Sequence, residues 1–520
     1  MTAGSSAIDN ERSKQRYYLS KKSFTSTTAL ILYLSLADFV AHLFVGGNYG
    51  YFRDELYYIV SGTQHLSLGY VDFPPFIAYV AALLYPISQD SLASIHIVSA
   101  AVESLLVFVA GLIAKELGGG RKAQLLAAVS TLLSLIFLAG GSIFTPDPFD
   151  QLWWSIFGYI VVRLVKRKEP KLWIVAGLVV GIGLLTKLTI FFFVATLLLS
   201  ILAIPNSRII LKSKWIVFGG LLSIAFVIPM IYWNLLNGWP MVHFYQEFRG
   251  DVSGGGPANF FYTQLAGMSF LNFPIFIFGL YFYLRSKEGS QLRFFGLAYI
   301  VLYVFMTLLN MKPYYLIPIY PLLYAGGALL IEKSSNSKHG IFRWFGSRPY
   351  LACLLIVAIL LAPVVVPILS PQTVISNYGY GDYDTSLLAD RYGWSNMVST
   401  LAQAYLQLPS NTRSQACILT SNYGEASAVN FLGRSMGLPQ AISGHNNYYI
   451  WGPDNCSGQT LITVGYSILA DQNSYRNVTL LTTIVCQYCI DYESNLPIYL
   501  YTNPNFSSLA SVWPMIRSYD

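Results

Sequence analysis

Residues 172–204 read LWIVAGLVVGIGLLTKLTIFFFVATLLLSILAI, an apolar stretch interrupted by one charged side chain, Lys187. Taken as one long membrane helix, the stretch buries Lys187 midway and sends the later basic segments (Arg208 to Lys214, Arg285 to Arg293, Lys333 to Arg348) to the side opposite the earlier ones. Taken as two short spans with Lys187 at the turn between them, it keeps all the basic segments together. Cytoplasmic loops collect lysine and arginine, so the second reading stands, and it sets the topology of the chain.

Outward from this point, apolar runs suited to crossing ~30 Å of hydrocarbon occupy 25–46, 92–114, 123–142, 151–165, 172–186, 188–204, 215–234, 266–284, 294–310, 313–332 and 350–369. Hydrophobic residues make up 54% of the 520 and charged residues 11%, with a mean hydropathy of +0.50. A soluble chain of this length needs far more charge to solvate its surface. Most of the 32 lysines and arginines, beginning with Arg12, Lys14, Arg16, Lys21 and Lys22, fall in alternate connections, whereas the other short connections hold only Arg53, Lys187, Arg249 and Lys312. The net charge of +7 is therefore a topology signal, with no nucleic-acid patch in it. The first 22 residues are charged and the following apolar run is too long for a cleavable signal, so it reads as a signal anchor. The expectation is a multi-pass cell-membrane protein. Residues 1–24 form a cytoplasmic tail, and 25–369 an all-α polytopic membrane domain of about eleven helices with outer loops at 47–91, 142–150 and 235–265. Residues 370–520 form an extracytoplasmic α/β or mostly β domain.

Beyond Pro371 the texture turns to Asn, Ser, Tyr, Gly and Thr, with short apolar stretches such as QACILTS (415–421) and LTTIVCQYC (481–489) that read as strands. Cys417, Cys456, Cys486 and Cys489 lie here, and Cys353 lies in a membrane run. An even set in an exported domain points to two disulfides, with three connectivities open and a zinc site as the alternative. Sequons at Asn455, Asn477 and Asn505 fall in the same region, although an Asn/Ser/Thr-rich segment gives some by chance.

The outer loops carry few charges. The first contains YFRDELYYIVSGTQHLSLGYVDFPPF (51–76). Its DELYYIVSGTQHL segment has helical spacing, with Leu56, Ile59, Val60 and Leu66 on one side, and reads as an interfacial helix. Asp54 at its start is either a partly desolvated base or a solvated acid favoured by the helix dipole. The second loop, GSIFTPDPFDQLWW (141–154), sets Asp147 between two prolines that hold it in a turn, and Asp150 reads as an N-cap. Lys187, and Lys312 followed by Tyr314 and Tyr315, sit alone at helix junctions. They suit either a lipid-linked phosphate at headgroup depth or snorkelling anchors in an aromatic belt. Inside the membrane runs, Asp38 with His42 and His96 with Ser99 and Glu103 share helix faces and read as an interhelical network, with a functional role as the alternative. Asp72, His65 and Asp150 complete the candidate substrate cavity. No His/Cys ligand cluster appears in the membrane part, so no metal or other cofactor is expected to be obligatory, and a divalent ion is not indicated.

Together these stretches resemble the superfamily of dolichyl-phosphate-mannose protein mannosyltransferases and aminoarabinose transferases, of the C-type glycosyltransferase fold. The 51–76 and 141–154 segments are similar to its two acidic outer loops. GLLTKLT (183–189) is similar to its Thr/Asn-Lys turn, and KPYYLIPIYPLLYAGGA (312–328) to its Lys-x-Tyr-Tyr-Leu-x-Pro segment. The likeness covers residues 25 to about 335 and leaves the sugar and the acceptor open, since no recognisable acceptor or MIR-type insert interrupts the loops. It implies transfer of a sugar from a polyprenyl-phosphate carrier to an acceptor lipid, glycan or protein at the outer membrane face. Asp54 would be the base, Asp147 would assist, and Glu55 would sit beside them, orienting Arg53 or the loop. Lys187, Lys312, Arg53, Tyr314 and Tyr315 would hold the lipid phosphate. Such a donor carries no nucleotide, in keeping with the lack of any Gly-rich phosphate fingerprint. A transporter or flippase is the competing class, but it predicts internal repeats and midplane polar groups, whereas the charges here collect at one edge.

Overall fold

The computed structural model describes residues 25–88, 91–247, 255–334, 340–379, 387–465 and 474–519. The tail 1–24 with its five cations, Arg249 and Lys338 lie outside the described residues. The protein is a multi-pass membrane bundle carrying a small sheet domain. Five described helices are long and apolar enough to cross a membrane: Thr27–Val45, Leu92–Glu116, Lys214–Leu236, Ser290–Leu308 and Pro313–Ser334. A pair bent by 120°, Thr189–Ala203 and Pro205–Lys212, makes a possible sixth.

Of the remaining predicted runs, 151–165 lies in the longer helix Pro146–Arg167; the others form shorter or broken helices, and the breaks have local causes. Run 123–142 splits into Arg121–Leu132 and Leu135–Gly140. There Ser269 Oγ donates to the Leu133 carbonyl (2.5 Å) and accepts from Leu135 N (3.1 Å), satisfying backbone that the break frees as an apolar environment requires. Run 266–284 divides into Gly256–Gly267 and Phe273–Arg285, with Ser269 and Phe270 at φ 59° and 56° between them. Run 313–332 opens as a 3₁₀ segment, Pro313–Ile319, before the helix Tyr320–Ser334.

The basic segments meet at one end of the bundle. Arg167 pairs with Glu116 at 2.7 Å, Glu332 accepts from the backbone N–H of Gly120 (2.6 Å) and Lys122 (2.9 Å), and Lys333 faces Glu288 at 3.9 Å. Lys187 and Asp147 lie at the opposite ends of their helices, and the sheet domain sits over that second end.

The first loop differs from its predicted form. Its helix, Arg53–Gln64, is buried from Glu55 through Gly62. It is sandwiched between the helix Phe76–Ser88 and the helix Tyr423–Leu432 of the sheet domain, so it does not lie along an interface with one face wet. Leu66 falls beyond its end and is 57% exposed. Gly62 permits the sandwich, because a Cβ there would overlap the Ala78 carbonyl.

The sheet domain is α/β. Strands β1 (Ala416–Thr420), β2 (Ala441–Ser443), β3 (Thr460–Val464), β4 (Tyr475–Ile484) and β5 (Leu496–Pro504) are ordered β2-β1-β3-β5-β4. β1 is parallel to β2 and β3, and β5 is antiparallel to β3 and β4. The two predicted strand stretches fall on β1 and the end of β4. All four cysteines are disulfide-bonded, Cys417 to Cys456 and Cys486 to Cys489. Arg391, 1% exposed, fastens the domain to the first loop by donating to the carbonyls of Gly50 and Asn48 at 3.2 Å each.

Within the bundle, small residues let backbones touch, the usual device where no water drives helices together. A Cβ at Gly327 would overlap the Ile275 carbonyl, and one at Gly279 the Leu323 carbonyl, whereas Gly220 faces open space. Gly327→Val should therefore destabilise the bundle by at least about 1–3 kcal/mol of overpacking. Thermal unfolding in detergent should show a clear loss for Gly327→Val and none for Gly220→Val.

Candidate active site

Glu55 organises the site end. It is fully buried, because the helix Arg53–Gln64 turns its third residue inward. Its Oε2 accepts from Phe52 N at 2.8 Å, closing the first turn. Its Oε1 accepts from Phe144 N of the second loop at 2.5 Å and lies 2.7 Å from His96 Nε2. His96 Nδ1 in turn meets the Gly46 carbonyl at 2.6 Å. Burial opposes the Glu55 charge, yet His96, Arg391 and the Phe144 N–H hold its pKa below the usual glutamate range. The side chain joins both acidic loops to a membrane helix. Its described partners do not include Arg53, which the sequence reading had offered as one object of its orienting role.

Arg53 and Asp54 occupy the first turn of the same helix, with side chains 26% and 28% exposed. Arg53 Nε is 3.6 Å from Asp54 Oδ1, and its Nη2 is 3.5 Å from Asp390 Oδ2 of the sheet domain. It also bonds the Tyr492 hydroxyl and lies over the Tyr423 and Tyr492 rings at 5.4 and 5.5 Å. Tyr423 donates to Asp54 Oδ1 at 2.7 Å.

The second cluster is built on the helix Pro146–Arg167, which begins five residues earlier than its predicted span. Pro146 starts the helix where its missing N–H costs nothing, so Asp147 sits in a helical first turn instead of a Pro-bounded turn. Asp150 is consequently not the N-cap, a position that Thr145 holds. Asp150 is buried and accepts from Trp154 Nε1 (3.0 Å) and Thr189 Oγ1 (2.6 Å). Lys187 reaches Asp147 Oδ1 at 2.5 Å and stands 4.7 and 4.9 Å from the Tyr314 and Tyr315 ring centroids. Burial opposes the Lys187 charge, but Asp147, Tyr315 and Asp150 keep its pKa above the usual lysine range. Lys312 is the reverse case: burial and the neighbouring Lys187 cation lower its pKa, against the pull of Asp54 and Asp147. Arg53 adds to the same positive field, so this corner favours an anion.

Asp72 sits at the seam with the sheet domain. Its carboxylate accepts from Tyr57 (3.0 Å), Asn447 Nδ2 (3.0 Å) and Asn446 Nδ2 (3.3 Å), and burial pushes its pKa up to about 7. His65 is stacked on Trp451 at 4.0 Å, and burial lowers its pKa. Of the membrane-run pairs, Asp38 and His42 form the expected interhelical network, through Ser104 (3.0 Å to Asp38 Oδ2) and the Leu138 carbonyl (3.1 Å from His42 Nε2). His96 instead serves the site through Glu55. Among the described residues no group of three His, Cys, Asp or Glu side chains is placed to hold a metal ion. Reading the sequence missed Tyr58, Tyr423, Tyr492, Asp390 and Asn447. Asn422 and Glu425 are legible as a helix start, but nothing local marks the neighbouring Tyr423 as facing Asp54.

Residues 72–233 match the dolichyl-phosphate-mannose-protein mannosyltransferase family. A 253-residue stretch, 46% of this chain, is 26% identical to the lipid A galacturonosyltransferase RgtD of Rhizobium johnstonii. The chain spans about half the length of that curated relative (51%). The crystal structure of ArnT from Cupriavidus metallidurans bound to undecaprenyl phosphate superposes with a TM-score of 0.60 at 13% identity, covering 92% of this chain and 98% of that one. The apo form of the same enzyme gives 0.58, over 90% and 97%. The chain thus shares the fold of ArnT, and its segment 72–233 carries the likeness to the mannosyltransferase family. Coverage this wide takes in much of the sheet domain, which the sequence likeness, ending near residue 335, left aside.

Glu55→Gln should destabilise the fold by about 3–5 kcal/mol at neutral pH, the usual result of removing one member of a buried ion pair. Because the folded pKa of Glu55 is depressed, the wild-type advantage is present above the unfolded glutamate pKa and fades as pH falls through the folded value. Thermal unfolding of the two proteins should therefore converge on acidification.

Proposed function

We propose that this protein is an integral membrane glycosyltransferase that moves a sugar from a polyprenyl-phosphate carrier to an acceptor hydroxyl. One observation carries the reading: Lys187 and Lys312 form a cationic corner beside the carboxylates Asp54 and Asp147, at the bundle end opposite the basic segments. The positive-inside rule makes that end extracytoplasmic, with the N-terminus cytoplasmic. The undecaprenyl phosphate bound by ArnT supports a lipid-linked donor. For the acceptor, the lipid A in the Rhizobium relative's name supports a lipid over a glycan or a protein.

In this mechanism Asp54 accepts the acceptor's hydroxyl proton as that oxygen bonds to the anomeric carbon. The bond from that carbon to the phosphate oxygen breaks on the opposite face, so the centre inverts. The electron pair leaves on the lipid phosphate, where Lys187, Lys312 and Arg53 balance its charge. Tyr314 and Tyr315 pack against Lys187 and hold its ammonium at the corner. Asp147 pairs with Lys187 in the resting site and faces the positive charge that builds on the sugar ring. Glu55 is the positioning residue for both loops.

The test is sugar transfer by the purified protein in nanodiscs, with a panel of labelled polyprenyl-phosphate sugars and membrane-lipid acceptors. Asp54→Asn should lower the rate by about 10²–10⁴-fold, the range for losing a general base. Lys187→Gln should chiefly weaken donor use, by about tenfold or more. Wild-type transfer by a folded Asp54→Asn protein would contradict the assignment.

A further inference from the structure

We infer that Tyr423 is a positioning residue for Asp54, so that the sheet domain completes the transfer site. The inference rests on the reading of Asp54 as the base and deepens it. Tyr423 is the first residue of the helix Tyr423–Leu432, directly after β1, and its place is rigidly set. Asn422 Oδ1 accepts from Glu425 N at 3.0 Å, while Glu425 accepts from Ser421 N at 2.8 Å and from Asn422 N at 3.4 Å. This is a reciprocal capping box that pins the helix start. The Tyr423 ring stacks on Tyr57 at 4.5 Å with 27° between the planes, and its hydroxyl points at Asp54. Gly424 follows because no side chain fits: a Cβ there would overlap Cγ of Arg53.

The contacts divide the two oxygens of Asp54. Oδ1 accepts from Tyr423 at 2.7 Å and is the atom nearest Arg53 Nε, at 3.6 Å. Among the described residues no such partner meets Oδ2, so Oδ2 is the atom that takes the acceptor proton. The hydrogen bond fixes the rotation of the carboxylate, which serves a base that must be aimed before the acceptor arrives. The other groups whose charge bears on Asp54 are Lys312, Asp72, Asp390, Tyr58 and Tyr492, and Tyr423→Phe leaves all of them in place.

The experiment uses the full chain in nanodiscs and compares wild type, Tyr423→Phe and Asp54→Asn for kcat and donor KM. Phenylalanine keeps the stack on Tyr57 and removes only the donor. Tyr423→Phe should lower kcat about tenfold and leave donor KM within about twofold. Transfer lost in Asp54→Asn but unchanged in Tyr423→Phe would overturn the positioning role and leave the base assignment standing. So would a fall in kcat with a matching rise in donor KM, which marks a merely structural residue. Full transfer by Asp54→Asn would overturn the base assignment itself. If Tyr423→Phe does not fold, Asn422→Ala loosens the same cap: a lower kcat with donor KM held supports the inference, and unchanged kinetics overturn it.

Discussion

A fully buried carboxylate must have its charge met by the groups around it, and meeting the charge of Glu55 arranges the site end of this molecule. Its bonds to Phe52 N, Phe144 N and His96 Nε2 tie together the turn that carries Asp54, the loop that leads to Asp147, and the membrane helix Leu92–Glu116. Two catalytic candidates far apart in sequence therefore share one fixed support. Without it, the loops would be free to move relative to one another by more than catalysis tolerates.

Around this centre the membrane part supplies stiffness and the sheet domain supplies closure. Glycine contacts such as Gly327 on Ile275 and Gly177 on Gly219 bring helices together backbone to backbone. The helix Arg53–Gln64 is then covered by the sheet domain, which contributes Arg391 to the loop backbone, Asn446 and Asn447 to Asp72, and Tyr423, Tyr492 and Asp390 to the Arg53–Asp54 pair. The cationic corner at Lys187 and Lys312 is made by the membrane part, so in the proposed mechanism charge for a lipid phosphate and alignment of the base come from different halves of the protein.

The membrane class, the pairing of Lys187 with the second acidic loop's end of the bundle, and the α/β tail were legible because hydropathy and charge asymmetry are one-dimensional signals. What was not legible depended on contacts across the fold. Asp150 read as a cap because Pro146 was taken to close a turn, whereas its fixed φ starts the helix. Leu66 read as part of an apolar stripe because a helix's end is not marked by period alone. The burial of the Arg53–Gln64 helix on nearly all sides comes from a domain more than 300 residues further along the chain, and no local pattern announces Tyr423 or Asp390 as its neighbours. His96 reads with Ser99 and Glu103 as one network, but its side-chain partner is Glu55 in the loop, and among the described residues the Ser99 hydroxyl and Glu103 carboxylate have no hydrogen-bond partner.

If the end of the bundle holding Lys187, Lys312 and Asp54 receives a lipid-linked phosphate, an experimental structure of the full chain in nanodiscs saturated with polyprenyl phosphate will show it. The phosphate should be seated between Lys187 and Lys312, on the Asp54 side of the bundle and beneath the sheet domain. A phosphate bound at the other end, among Lys122, Arg167 and Lys333, or a saturated sample with no phosphate at the Lys187–Lys312 corner, would contradict it.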